Sequence, residues 1–185
     1  MNKVISILFV VLLVISSACT QSERLWVEAE SFKNKGGWVV DQQFIDQMGS
    51  SYLMAHGMGK PVEDAETEIS FDKTGVYYVY VRTYNWTSPW SESEGPGRFQ
   101  LSLNGNVLPV ELGATGNSWM WQSAGSIDIK QKKNKLSLHD LTGFNGRCDA
   151  IYFTMDANDV PASDCTALNR MRRQMLNLKD TPETI

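Results

Sequence analysis

Glu28-Ala29-Glu30 places two carboxylates two residues apart in a short, otherwise apolar stretch, and Asp149 opens the run Asp149-Ala150-Ile151-Tyr152-Phe153 far along the chain. Side chains alternate faces along a strand, so Glu28 and Glu30 would share a face and reach one cation; on a helix they would diverge. By the same alternation Asp149 falls in the row of Ile151 and Phe153. A carboxylate at the head of a buried row needs a cation or an arginine, because burying it unpaired costs several kcal/mol. If the two strands are neighbours, Glu28, Glu30 and Asp149 are candidate metal ligands, offering the hard oxygens that calcium prefers. The competing arrangement pairs Asp149 with Arg147 or Arg82 and leaves the glutamates on a solvated edge strand.

Indole side chains carry the second signal. Trp86 and Trp90 flank Pro89 among serines and acids, with Tyr84, Glu92, Glu94 and Arg98 close in sequence. Indole faces stack on the apolar faces of sugar rings while polar neighbours bond the hydroxyls, so Trp86, Trp90, Tyr84, Arg98 and Glu92 form the candidate ligand-binding set. The alternative for such a Gly/Pro-containing stretch is a mobile connection. Trp119 and Trp121 share strand parity and read as core.

Catalytic constellations do not assemble in the same way. His139-Asp140 and His56 provide the residue types of a general base, yet neighbouring strand residues point to opposite faces and no G-x-S-x-G elbow supplies a nucleophile. Structural hydrogen bonds are the expected role of His56 and His139. Gly57-Met58-Gly59 and Gly95-Pro96-Gly97 lack the third glycine and following helix of a phosphate-cradling loop, so the chain holds no FAD site. No catalytic residue is assigned, and the chain reads as a binding module rather than an enzyme.

These residues need a scaffold. From residue 26 to 154 the pattern is of short period-two runs broken by Gly, Asn and Pro, which predicts an all-β antiparallel sandwich. Strands are expected at 26–30, 67–71, 76–84, 99–103, 107–112, 119–122, 126–129, 135–138 and 150–154. In the longest run Tyr77, Val79 and Val81 share one face, expected to be core, and Tyr78, Tyr80 and Arg82 the other. Asn104-Gly105 suits the type I′ turn of a tight hairpin. Past Asp156 the period changes: Pro161 and Ser163 open a helix on which Leu168, Met171, Met175 and Leu178 form an apolar stripe. Either the sandwich or a following domain must cover that stripe, and 179–183 reads as linker.

Of 185 residues, 17 are Lys or Arg and 21 Asp or Glu, with no extended basic face, so nucleic acid is not an expected partner. Lys3, an apolar run over 4–15 and Ser16-Ser17-Ala18-Cys19 follow the order of an export signal. Small residues ending at cysteine resemble a bacterial lipobox, which makes Cys19 the lipidation candidate. The expected organisation is therefore a signal over 1–19, a sandwich over 20–156 and a helix with linker over 157–185. The expected setting is an outer-membrane or cell-surface lipoprotein, otherwise a periplasmic or secreted protein, touching the membrane only through the lipid. Cys148 and Cys165 then remain, either paired or as separate thiols. Asn85-Trp86-Thr87 matches a glycosylation acceptor that such a cell would leave unused.

Val27-Glu28-Ala29-Glu30, the run Gly75-Val76-Tyr77-Tyr78-Val79-Tyr80-Val81-Arg82 and Asp149-Ala150-Ile151-Tyr152-Phe153 resemble the galactose-binding-like jelly rolls of carbohydrate-binding module families 6 and 35. That resemblance implies a jelly-roll β-sandwich, a polysaccharide or glycan as partner, and a structural calcium held by the early glutamates and the late aspartate. Gly36-Gly37-Trp38-Val39-Val40-Asp41, Tyr52-Leu53-Met54-Ala55-His56-Gly57, Trp86 with Trp90, and the segment from His139 to Asp149 also resemble the N-terminal accessory domain of secreted Bacteroidetes FAD-dependent oxidoreductases; related domains occur beside polysaccharide lyases. This second likeness implies a downstream catalytic domain as partner. A purely structural sandwich making protein contacts is the third expectation.

Overall fold

The computed structural model describes residues 22–178, so the expected signal, Cys19 and the closing linker lie outside the described residues. Ten strands build two antiparallel sheets: β1 (Arg24–Glu28), β2 (Trp38–Asp41), β3 (Tyr52–His56), β4 (Ala65–Ser70), β5 (Gly75–Thr83), β6 (Phe99–Leu103), β7 (Asn106–Val107), β8 (Met120–Ile129), β9 (Lys133–Asp140) and β10 (Phe144–Thr154). The larger sheet runs β2-β3-β10-β5-β8, with β1 also paired to β10, and the smaller runs β4-β9-β6-β7. Along one edge of the long strand β10, β3 pairs its first half and β1 its second, with Glu28 opposite Ala150. The first and last strands are thus neighbours, as the carboxylate argument required.

The core lies between the sheets. Val27, Leu53, Val79, Val81, Ile151 and Phe153 from the large sheet meet Ile69, Leu101, Leu103, Leu136 and Leu138 from the small one. Strand alternation explains the selection: Tyr77, Val79 and Val81 point inward with no exposed surface. Asn104 and Gly105 both take positive φ, 52° and 81°, in the two-residue turn between β6 and β7.

Several sequence expectations are corrected. β1 stops at Glu28, and a 3-10 turn over Ala29–Ser31 carries Glu30, so the two glutamates are not successive same-face residues of one strand. A bulge in β10 between Cys148 and Ala150 gives β10 one more residue than β5 at that point; Asp149 therefore turns away from the inward row of Cys148, Ile151 and Phe153. The runs 119–122 and 126–129 are one strand, β8. They read as two because Gly125, at φ 91°, lies where the register with β5 shifts. The expected strand at 107–112 ends after Val107, two residues before Pro109, and only a bridge from Leu112 to Phe99 follows. β2 and β3 were not expected from periodicity.

Part of the outer face of the large sheet is covered. α1 (Ile45–Met48) and its flanks close over Tyr52 and Trp119, and α2 (Cys165–Met175) lies over Trp26, Trp121, Ala150 and Tyr152. Asp164 caps α2 by accepting from the Ala167 N–H at 2.9 Å, one residue past the expected Ser163. Leu168 is buried in that contact, with Met171 and Met175 packed at its edge, so the sandwich itself covers these three residues of the expected stripe, while Leu178 lies past the helix and is exposed. Trp119 and Trp121 are buried as expected, but beneath the helices rather than between the sheets. Cys148 is a buried free thiol and Cys165 an exposed one; they are not paired.

Candidate functional site

One end of the sandwich is a rim of loops held by two buried polar side chains. Asn85, fully buried, accepts from the Thr87 N–H and hydroxyl through Oδ1 and donates through Nδ2 to the carbonyls of Ser91 and Gly116. This fixes the chain after β5 in a tight turn, and it also makes the glycosylation-type motif at Asn85 inaccessible. Asp140 accepts from the backbone N–H groups of Val62, Thr142 and Gly143, tying the 57–64 loop to the turn before β10. Buried carboxylates and amides need such full partnering, so these loops are positioned rather than free.

Trp86 stands on that frame. Its indole Nε1 donates to the Phe144 carbonyl at 2.8 Å, and the Arg147 guanidinium lies 6.0 Å from its ring and 5.8 Å from that of Tyr84. Tyr84 in turn stacks on Trp119 with centroids 5.6 Å apart. Of the ligand candidates, Tyr84 and Trp86 are therefore gathered around Arg147, which the ligand-binding set omitted. Trp90 projects from the same loop at 80% exposure, and Phe144 beside Trp86 is 47% exposed.

Glu92 and Arg98 turn elsewhere. Glu92 accepts from Asn117 Nδ2 at 3.1 Å, and Arg98 pairs with Glu111 at 3.5 Å, so both serve the 108–119 segment. His56 meets Asn145 Oδ1 through Nδ1 at 2.7 Å, and His139 meets Asp64 at 2.8 Å, the structural roles expected of them. Arg147 is 8% exposed, and its Nε and Nη1 lack hydrogen-bond acceptors. Of the two partners expected for Asp149, Arg147 or Arg82, the structure pairs it with Arg82, at 3.1 Å.

A second polar group lies under α2. Glu28, Glu30 and Asp149 come near one another: burial first, then Glu28 and Asp149, push Glu30 up to about 8, while its own backbone and Arg172 pull it down. Burial likewise raises Asp149 to about 7 against the pull of Arg82. Two arginines, Arg82 and Arg172, face the three carboxylates and offset part of the cost of burying their charge.

A calcium shell fits this set poorly. Glu28 Oε1 already accepts from Trp26 Nε1 at 2.9 Å and from Arg172 at 2.5 Å, and both oxygens of Asp149 are taken, by Ser50 and Arg82. Only Glu28 Oε2 and Glu30 Oε2 are buried without a partner. Among the described residues no three acidic, histidine or cysteine side chains are grouped to hold a metal ion.

Comparison with solved structures recognises the sandwich. The CBM6 module of the laminarinase LamC from Zobellia galactanivorans superposes with a TM-score of 0.53 at 20% identity, spanning 71% of this chain and 98% of the module. A family 35 module from Clostridium thermocellum gives 0.53 at 14%, spanning 70% and 96%. The chain shares the β-sandwich fold of these modules. The Podospora anserina GH26-CBM35 β-(1,4)-mannanase gives 0.56 at 22% identity; the aligned part is 76% of this chain but 29% of that enzyme. No family model matches the chain, and no curated protein matches it. In this chain α1 and α2 cover the part of the outer sheet face that carries Trp26, Tyr52, Trp119, Trp121 and Tyr152, while Trp90 and Phe144 at the loop rim are exposed.

Proposed function

We propose that this chain is a non-catalytic carbohydrate-binding module that recognises a glycan with its loop rim, Trp86 and Trp90 supplying stacking surfaces and Tyr84 and Arg147 the flanking contacts. The observation that carries the reading is the indole of Trp86, fixed by its bond to the Phe144 carbonyl on the fold that family 6 and 35 modules use. A pre-positioned indole loses little freedom when a sugar ring lands on it. Arg98 and Glu92, committed to the 108–119 segment, lie outside this contact set.

Single sugar sites bind weakly, so such a module works by holding an attached or neighbouring catalyst near polymer. The mannanase comparison shows this fold joined to an enzyme in one chain. The order of Lys3, the apolar run and Cys19 supports an exported, lipid-tethered setting. Among the described residues no helix is long and apolar enough to cross a membrane. The accessory-domain reading, in which α2 hinges onto a flavin domain, finds less support because the sandwich already covers Leu168 and Met171.

Affinity electrophoresis over a panel of neutral and acidic polysaccharides tests the proposal. Retardation in at least one gel, lost on Trp86→Ala, is expected; unretarded migration in every gel contradicts it.

A further inference from the structure

The resemblance to families 6 and 35 implies calcium at Glu28, Glu30 and Asp149. We propose instead that the guanidinium of Arg172, delivered by α2 from 144 residues away, occupies the cation position and makes the module independent of metal. Of the three expected ligands, Arg172 contacts Glu28. Arg172 Nε bonds Glu28 Oε1 at 2.5 Å, and its Nη1 bonds the Gly49 carbonyl at 3.3 Å, one carboxylate and one backbone oxygen. Trp26 Nε1 donates to the same Glu28 oxygen, an N–H pointing where a bound metal would have to sit. Each oxygen of Asp149, the late ligand, already accepts a bond, one from Ser50 and the other from Arg82.

The geometry suits arginine. A guanidinium presents several N–H donors in a rigid plane, so one side chain serves a carboxylate and a carbonyl at once, and it keeps its charge at any working pH. The pair is well shielded, with side-chain exposures of 18% for Arg172 and 8% for Glu28. α2 thereby ties β1 to the turn after α1 through one side chain, adding a polar anchor to the apolar contact of Leu168. The proposal is independent of whether the rim binds sugar.

Thermal unfolding of the full chain and of Arg172→Met, each in chelator and in millimolar calcium, tests it. The unsubstituted protein is expected to melt at the same temperature in both. Arg172→Met frees the Glu28 oxygen and the Gly49 carbonyl, so its melting temperature should fall in chelator and recover by about 3 °C or more with calcium. A calcium-dependent melting temperature in the unsubstituted protein overturns the proposal, as does an Arg172→Met variant that melts identically in both buffers. If Arg172→Met does not fold, terbium replaces it as the readout: Trp26 touches Glu28 and would sensitise a lanthanide bound there. Silent emission from the unsubstituted protein supports the proposal and terbium luminescence refutes it.

Discussion

Replacing Leu168 by alanine probes whether α2 belongs to the sandwich. Leu168 is 1% exposed and packs on Trp26, Trp121, Ala150 and Tyr152. Removing a leucine side chain from an enclosed site costs about 2–5 kcal/mol, depending on how far the surroundings collapse. Here one wall is an 11-residue helix, too short to persist alone, so it can lift rather than preserve a cavity. That escape caps the loss at the free energy of docking and places the expected value in the lower half of the range, at roughly 2–3 kcal/mol. Urea unfolding followed by tryptophan emission is the assay, because Trp26 and Trp121, 5.2 Å apart under the helix, report its departure. Hydrogen exchange at α2 amides should accelerate by roughly 30- to 150-fold in the variant, matching the same free energy. A stability change below about 0.5 kcal/mol, with α2 amides already unprotected in the parent, would refute the docking argument.

Other expectations concern charge and thiols. Because Glu30 is raised to about 8, the folded chain holds a proton that the unfolded chain releases near the ordinary 4.5; the associated stability is complete below pH 4.5 and is lost as pH rises through about 8. Glu30→Gln should therefore flatten the fall in unfolding free energy between pH 5 and 8 by up to about 1.4 kcal/mol per pH unit, and parallel curves for the two proteins would contradict this. Asp149, raised in the same direction, leaves a residual slope in the variant. Cys165 should react with a thiol reagent in the native state, whereas Cys148, fully buried with its thiol pushed up, should react only after unfolding; rapid modification of Cys148 would show that the core is open there. Asp140→Ala strips acceptors from the Val62, Thr142 and Gly143 N–H groups and should lower stability by about 2–4 kcal/mol, measured by urea titration.

Much of the architecture was readable because the core strands obey a period of two. Tyr77, Val79 and Val81 alternate without interruption, and Asn104-Gly105 has the backbone freedom its turn demands. β2 and β3 escaped because each is short and its apolar residues do not alternate cleanly: Val39 and Val40 are adjacent and both about 45% exposed, at 44% and 45%. Periodicity also fails wherever one residue is inserted. The bulge beside Asp149 reverses the face inferred for it and decides between its two expected partners in favour of Arg82, leaving Arg147 beside Tyr84 and Trp86.

The site was legible by type but not by distance. Tryptophans in a polar loop were visible as candidate stacking surfaces, and the structure places Trp86 and Tyr84 together beside Arg147. Glu92 and Arg98 were grouped with them only because they are close in sequence; the turn fixed by Asn85 directs them to Asn117 and Glu111. Arg172 gave no signal, since nothing local shows that a helix at the far end of the chain delivers it to Glu28.

The most direct test of glycan recognition follows the indole N–H resonances of the nitrogen-labelled protein during titration with oligosaccharides from any polysaccharide that retards it. The Trp86 and Trp90 signals should shift saturably, while Trp26 and Trp121, under α2, stay fixed, and Trp86→Ala should weaken binding about tenfold or more. Unmoved Trp86 and Trp90 signals with a ligand that demonstrably binds, or a Trp86→Ala variant of unchanged affinity, would contradict the rim as the binding surface.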